Sequence, residues 1–196
     1  MASDINVAVP PLGNATTAGV RANFAAAKAE IESLQRQIGF VDYNDSATAV
    51  TPINVVASTW TKLTNNKLGP YSVTNAMPEG VTNLWNAVTN QLVLTELPVK
   101  TMLEFRADIV VTTTGANQVV KSELALAIGD AIAFSLPTNE MTFKAAGAHN
   151  ILANIPFYIG SLPVKTNPGE FRLWSDGNCT VKVNGWYIRI MKYLGD

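Results

Sequence analysis

The chain holds one histidine, His149, and one cysteine, Cys179, and these limit the chemistry open to it. An H-E-x-x-H zinc helix needs two histidines and a C-x-x-C pair needs two cysteines, so both are excluded. A Ser-His-Asp triad would have to use His149, and no G-x-S-x-G elbow accompanies it. His149 follows small residues in KAAGAHN (residues 144–150) and precedes Asn150, so it reads as a polar residue of a loop or strand end. Cys179 lies in Asn178-Cys179-Thr180, with no cation or histidine near it in sequence. A reactive thiolate needs such a neighbour; without one the residue reads as a small buried hydrophobe. Being alone, it forms no intrachain disulfide and leaves the redox compartment open. The fifteen acidic residues could supply a glycosidase pair, which meets in space rather than in sequence, but no two are marked out. A P-loop needs glycines five apart and a dinucleotide loop needs G-x-G; the nearest glycines, Gly13 and Gly19, are six apart. The expectation is a chain without catalytic residues, metal or cofactor.

The four tryptophans are the other residues that could hold a ligand, because indole rings stack on the apolar faces of sugars. Trp60, Trp85, Trp174 and Trp186 all lie in or beside expected strands, where cross-strand packing is the ordinary use of an aromatic ring. Trp174 is out of phase with Phe171 and Leu173, which places it on the outward side as a candidate ligand face. Asn14, Asn44 and Asn178 head N-x-S/T triplets, about as many as a chain this rich in Asn, Ser and Thr carries by composition alone.

The elements that would position these residues begin with one helix. Residues 17–38 place apolar side chains at Val20, Phe24, Ala27, Ile31, Leu34 and Ile38. That is a short heptad seam, with Phe24, Ile31 and Ile38 at a and Val20, Ala27 and Leu34 at d. Such a helix carries ~33 Å of apolar stripe and needs a surface to lie against; copies of itself are the expected surface. Thr17 or Thr16 is placed to cap it, Lys28 and Glu32 to pair across one turn, and Gly39 to end it. Before the helix, residues 1–16 read as an extended arm. Ile5, Val7 and Val9 alternate as in a strand, Pro10-Pro11 forbids helix, and Leu12 follows.

From Phe40 onward the period changes to two. The clearest strand is residues 103–111, where Leu103, Phe105, Ala107, Ile109 and Val111 alternate with Glu104, Arg106 and Asp108. Others are expected around Leu124, Leu126 and Ile128, and over residues 151–159, where Pro156 argues for an edge or a bulge. Residues 171–174, 179–183 and 186–192 are separated by Asp176-Gly177 and Asn184-Gly185, which are hairpin signals. Shorter strands are expected over residues 51–57, 60–63, 85–88 and 91–94. About ten short strands without intervening helices imply an antiparallel sandwich or barrel.

Composition agrees with an assembling protein. Of 196 residues 47% are hydrophobic and only 15% charged, against roughly a quarter in ordinary globular chains. A soluble surface so poor in charge is either partly hidden in an oligomer or neutral and polar, rich in Asn and Thr. The net charge of -1 gives no basic field for nucleic acid. No apolar run approaches the ~20 residues that cross a bilayer, and the first residues lack the basic start and apolar core of a signal peptide.

The opening carries LGNATT at residues 12–17, VRANF at 20–24 and KAEIESLQ at 28–35. It resembles the start of many tailed-bacteriophage structural proteins. The body, with LVL at residues 92–94, FRADIVV at 105–111 and WYIRIMKY at 186–193, resembles the trimeric jelly-roll heads related to tumour necrosis factor and to the globular head of complement. These resemblances imply a mainly β protein in three parts: an anchoring arm (1–16), a single α-helix forming a short coiled coil (17–39), and an antiparallel jelly-roll sandwich (40–196). They imply a homotrimeric virion surface protein without enzymatic activity, a capsid decoration or fibre. Its arm, through Ile5, Val7, Val9 and Leu12, and its helix would attach to a major capsid or tail protein. Ile at a with Leu at d inclines toward two strands rather than three, so the copy number follows from the head. The alternative is a receptor-binding tail-fibre head that recognises a host surface glycan through Trp174.

Overall fold

Along residues 102–113 every second side chain is apolar, and Leu103, Phe105, Ala107, Ile109 and Val111 are the ones buried. The same alternation recurs from strand to strand, so each sheet has one face that must be covered and one that can meet water. The computed structural model describes residues 17–35, 37–138 and 140–193. Helix α1 (Thr17–Gln35) leads into β1 (Ile38–Asn44), β2 (Ile53–Val55), β3 (Thr61–Lys62), β4 (Trp85–Asn86) and β5 (Gln91–Leu92). There follow β6 (Met102–Thr113), β7 (Gln118–Leu126), β8 (Phe134–Pro137), β9 (Met141–Phe143) and β10 (Gly147–Tyr158). Helix α2 (Leu162–Thr166), β11 (Glu170–Ser175) and β12 (Cys179–Met191) close the described chain.

Pairing runs from the outside inward: β1 with β12, β3 with β11, β6 with β10, and β7 with both β8 and β9, all antiparallel. That nested order is a long hairpin rolled on itself, the jelly roll. Rolling adds β12 to β6 and β11 to β7. One sheet then reads β1-β12-β6-β10 with β2 also on β12, and the other β3-β11-β7-β8 with β9 also on β7. Between them, Phe105 and Trp186 of the first sheet meet Phe171 of the second, ring centroids 5.5 Å apart in each pair. Trp85, from the small β4–β5 hairpin, stands edge-on to Trp186 at 5.7 Å. The chain is thus mainly β, an antiparallel jelly-roll sandwich.

Several local expectations change. A second, five-residue helix, α2, interrupts the strands; Pro163 in its first turn supplies the helical φ. Ile128 falls outside β7, in a turn whose preceding residue, Ala127, has φ 55°. Neither glycine dipeptide makes a hairpin. Asp176-Gly177 carries the chain from β11 in one sheet to β12 in the other, and Asn184-Gly185 lies inside β12 as a bulge after Val183. The register gap is filled by Thr48, whose Oγ1 accepts from the Val183 N–H at 2.8 Å. Pro156 does sit on an edge strand, β10.

The edges of the first sheet differ. Beyond β1, residues 69–77 run alongside without forming a regular strand: Gly69 N–H donates to Asn44 O (2.8 Å), Asp42 and Val73 exchange both bonds (2.9 and 2.8 Å), and Phe40 N–H donates to Ala76 O (2.9 Å). Gly39 permits this approach, because a Cβ there would lie 2.3 Å from Ala76 O. At the other edge, β10 has only β6 beside it.

Candidate association surface

α1 forms because Ala, Lys, Glu and Gln dominate it and no Pro or β-branched run interrupts it. Thr17 is its first residue rather than a flanking cap, and Thr16 lies outside the described residues. Lys28 Nζ and Glu32 Oε1 pair at 3.7 Å on the exposed side. The helix ends at Gln35, before Gly39, which belongs to β1 and keeps ordinary negative φ. Ile38 is likewise the first residue of β1, so the sixth seam position is a strand residue. Of the remaining seam positions, Phe24 is 72% and Ile31 56% exposed, while Val20 and Ala27 are half-buried; Leu34 falls in the last turn of α1. The arm residues Ile5, Val7, Val9 and Leu12 lie outside the described residues.

The head carries an exposed apolar row of its own. Register aligns Ile38 with Met191, Met191 with Met102, and Met102 with Tyr158, one row across β1, β12, β6 and β10. All four side chains are exposed. The sequence held a signal for this row, because Met102, Met191 and Tyr158 are out of phase with their strands' buried residues, but only register shows them as neighbours. Further along the same face the surface becomes polar. Phe40 stacks on Tyr187 at 5.6 Å, and the Arg106 guanidinium lies over Tyr187 at 4.9 Å. Burial pushes the Asp42 carboxyl up, Arg106 pulls it back and Asp108 adds to the rise.

A second apolar feature lies where the sheets part between β8 and β10. A cleft of about 440 Å³ opens there, lined by Phe134, Leu136, Pro156, Phe157, Tyr158 and Val164 among others. Nothing in the periodicity announced it, since it depends on which two edges the roll leaves facing each other.

On the outer face of the second sheet, β11 turns Glu170, Arg172 and Trp174 outward and Phe171, Leu173 and Ser175 inward. Trp174 is half-buried, with the Lys121 ammonium over its ring at 5.1 Å, and Arg172 reaches over the partly exposed Trp60 at 6.0 Å. Arg172 is also bonded to Glu123, and Lys121 pairs with Glu140 at 2.8 Å, so the cations are already matched. Trp85 and Trp186 are wholly buried core residues.

The two singular residues have structural surroundings. His149 stacks on Phe143 at 4.0 Å near the start of β10, its Nε2 3.1 Å from Ala145 O and 3.3 Å from Thr113 Oγ1. Cys179 is buried at the start of β12, and burial pushes its thiol up, away from the thiolate. Among the described residues no three His, Cys, Asp or Glu side chains gather as a metal site, and no helix is long and apolar enough to cross a membrane.

No family model matches the chain, and no curated protein matches its sequence. Solved structures do resemble it. Eiger, a TNF from S. frugiperda, is 5% identical over 81% of this chain and 95% of its own, with a TM-score of 0.47. The PRD1 vertex protein P5 is 18% identical, covering 79% and 95%, with a TM-score of 0.37. A chain of infectious bursal disease virus, Gt strain, is 8% identical over 79% of this chain but only 33% of its own, with a TM-score of 0.40.

Proposed function

We propose that the protein is a non-enzymatic structural component of a bacteriophage virion, a homotrimeric capsid decoration or fibre held by its N-terminal arm and helix. The observation that carries the reading is the uncovered stripe of α1. In proteins a helix owes most of its stability to the packing of its apolar face, and on this 19-residue helix Phe24 and Ile31 stay 72% and 56% exposed. Burying such side chains contributes about 1.5–3 kcal/mol each, which copies of the same helix can supply. The row through Ile38, Met191, Met102 and Tyr158 gives the head an exposed apolar row of its own, where copies of the jelly roll would meet. The phage assignment is supported by the resemblance of LGNATT and VRANF in the opening, and three arms acting together would bind a capsid far more firmly than one.

The test is the mass of the intact chain by sedimentation, beside the double variant Phe24→Ser/Ile31→Ser. The expected result is three times the 21.0 kDa chain mass for the intact protein and a shift to monomer in the variant. A monomer in both would overturn the reading. A second reading, a head that binds host glycan, is favoured by the outward rings of Trp60 and Trp174. Retention of the intact chain on immobilised oligosaccharides separates the two.

A further inference from the structure

The β4–β5 hairpin lies against the segment that joins α2 to β11, and the two hold a small pocket between them. Leu92 and Gly169 exchange backbone bonds there, at 2.8 and 3.0 Å. Gly169 permits the approach, because a Cβ on it would lie 2.9 Å from a methyl group of Leu126. The hairpin loop is fixed twice over. Asn86 Oδ1 accepts from the N–H groups of Val88 and Thr89 at 2.9 and 3.1 Å, and Lys62 Nζ donates to Thr89 O at 2.9 Å. The pocket has a volume of about 240 Å³, and its wall sets Val93 and Pro168 beside Asn86, Gln91, Lys165 and Asn167, among others.

The polar groups of that wall are held in place with part of their bonding capacity unused. Gln91 Nε2 donates to Glu170 at 3.0 Å and Asn167 Nδ2 to Pro163 O at 3.0 Å, which fixes both amides. Their carbonyl oxygens have no partner among the described residues, and neither do Asn86 Nδ2 and Lys165 Nζ. Two acceptors and two donors therefore stand beside an apolar patch. Charge around the pocket is balanced: Lys62 and Lys165 stand against Glu170 and Asp130, the last bonded to Asn167 at 3.5 Å.

We propose that this pocket binds one neutral sugar ring. A sugar hydroxyl both donates and accepts, so Gln91 and Asn167 can take its protons while Asn86 and Lys165 donate to its oxygens. The C–H face of the ring would rest on Val93 and Pro168. At about 240 Å³ the site is smaller than the roughly 300–1,000 Å³ that takes a drug-sized ligand, so it suits one ring rather than a longer chain. Its fixed loop lowers the ordering cost of binding. The inference rests on the reading of the head as a glycan binder and gives that reading a site. Glu170, bonded to Gln91, faces outward on β11 two residues before Arg172, which lies over Trp60, so a longer glycan can run from the pocket onto the outer rings.

Side-chain amide spectra of the intact, nitrogen-15-labelled chain test it, with methyl glucoside, methyl galactoside and N-acetylglucosamine added to millimolar concentration. The Gln91 and Asn167 signals are expected to shift with at least one sugar. Lys165→Ala, which removes no contact within the protein, is expected to weaken that sugar about tenfold. No shift with any of the three would overturn the proposal, as would shifts confined to the indole signals of Trp60 and Trp174. Retention on immobilised oligosaccharides that is equal in the intact chain and in Lys165→Ala would overturn the site and leave the glycan reading standing. No retention of either would end both, and none of these outcomes bears on the sedimentation mass.

Discussion

Thr48 Oγ1 sits against the bulge of β12, accepting from the Val183 N–H at 2.8 Å and donating to the Asp45 carboxylate at 2.7 Å. Asp45 also accepts from the backbone of Thr48 and of Asn66, at 2.7 and 2.8 Å, so one small cluster ties the loop after β1 to the irregular point of the longest strand. Removing the hydroxyl leaves a buried N–H without its partner, which costs more than the bond itself contributes. Thr48→Val is expected to cost about 2 kcal/mol, read as a lower denaturant midpoint with unchanged slope. Glu96 is an exposed counterpart. Hydrogen bonds from the Thr82 hydroxyl (2.6 Å) and from the N–H groups of Thr82 (2.6 Å) and Asn83 (3.2 Å) hold its carboxyl below the ordinary 4.5. A depressed carboxylate stabilises the fold above its unfolded value and loses that contribution as pH falls through the folded one. Glu96→Gln should therefore melt about 2 °C lower than the natural chain at pH 7, and the gap should close below pH 4.5. A gap that does not narrow at all as pH falls below 4.5 would assign the effect to packing.

At the scale of elements, periodicity was legible and partnership was not. The alternation in residues 103–111 and 151–159 located β6 and β10, because a half-buried strand writes its buried face into every second residue. Asp-Gly and Asn-Gly failed as hairpin signals for a physical reason. Gly177 and Gly185 do not use positive φ; they are small because something lies close, with a Cβ at Gly177 only 3.1 Å from the Gln118 side chain and one at Gly185 only 3.0 Å from Tyr43 O. Glycine chosen for close approach looks the same in sequence as glycine chosen for a turn. Gly39 misled in the same way: it admits residues 76–78 beside β1 rather than ending α1. The candidate surface was half legible. The stripe of α1 and the outward phase of Trp174 follow from spacing, whereas the row from Ile38 to Tyr158 and the open seam beside β10 follow from register and from the roll.

For the whole molecule, the proposed association raises the question of whether helix and head would act in it as one unit. Were α1 the only contact, its helices would separate on heating while each head melted later, indifferent to protein concentration. The row that begins at Ile38 argues for coupling, because it sets exposed apolar side chains across four strands of the head, starting three residues after α1 ends. A state stabilised by association becomes more stable as protomer concentration rises. Raising concentration about 100-fold should therefore move the melting of the intact chain upward by several degrees. The far-ultraviolet helix signal and the near-ultraviolet signal of the buried Trp85 and Trp186 should shift together. In Phe24→Ser/Ile31→Ser the tryptophan transition should become independent of concentration. If instead the intact chain shows a helix transition that depends on concentration and a tryptophan transition that does not, association stops at α1 and the four exposed residues at the base of the head face some other surface.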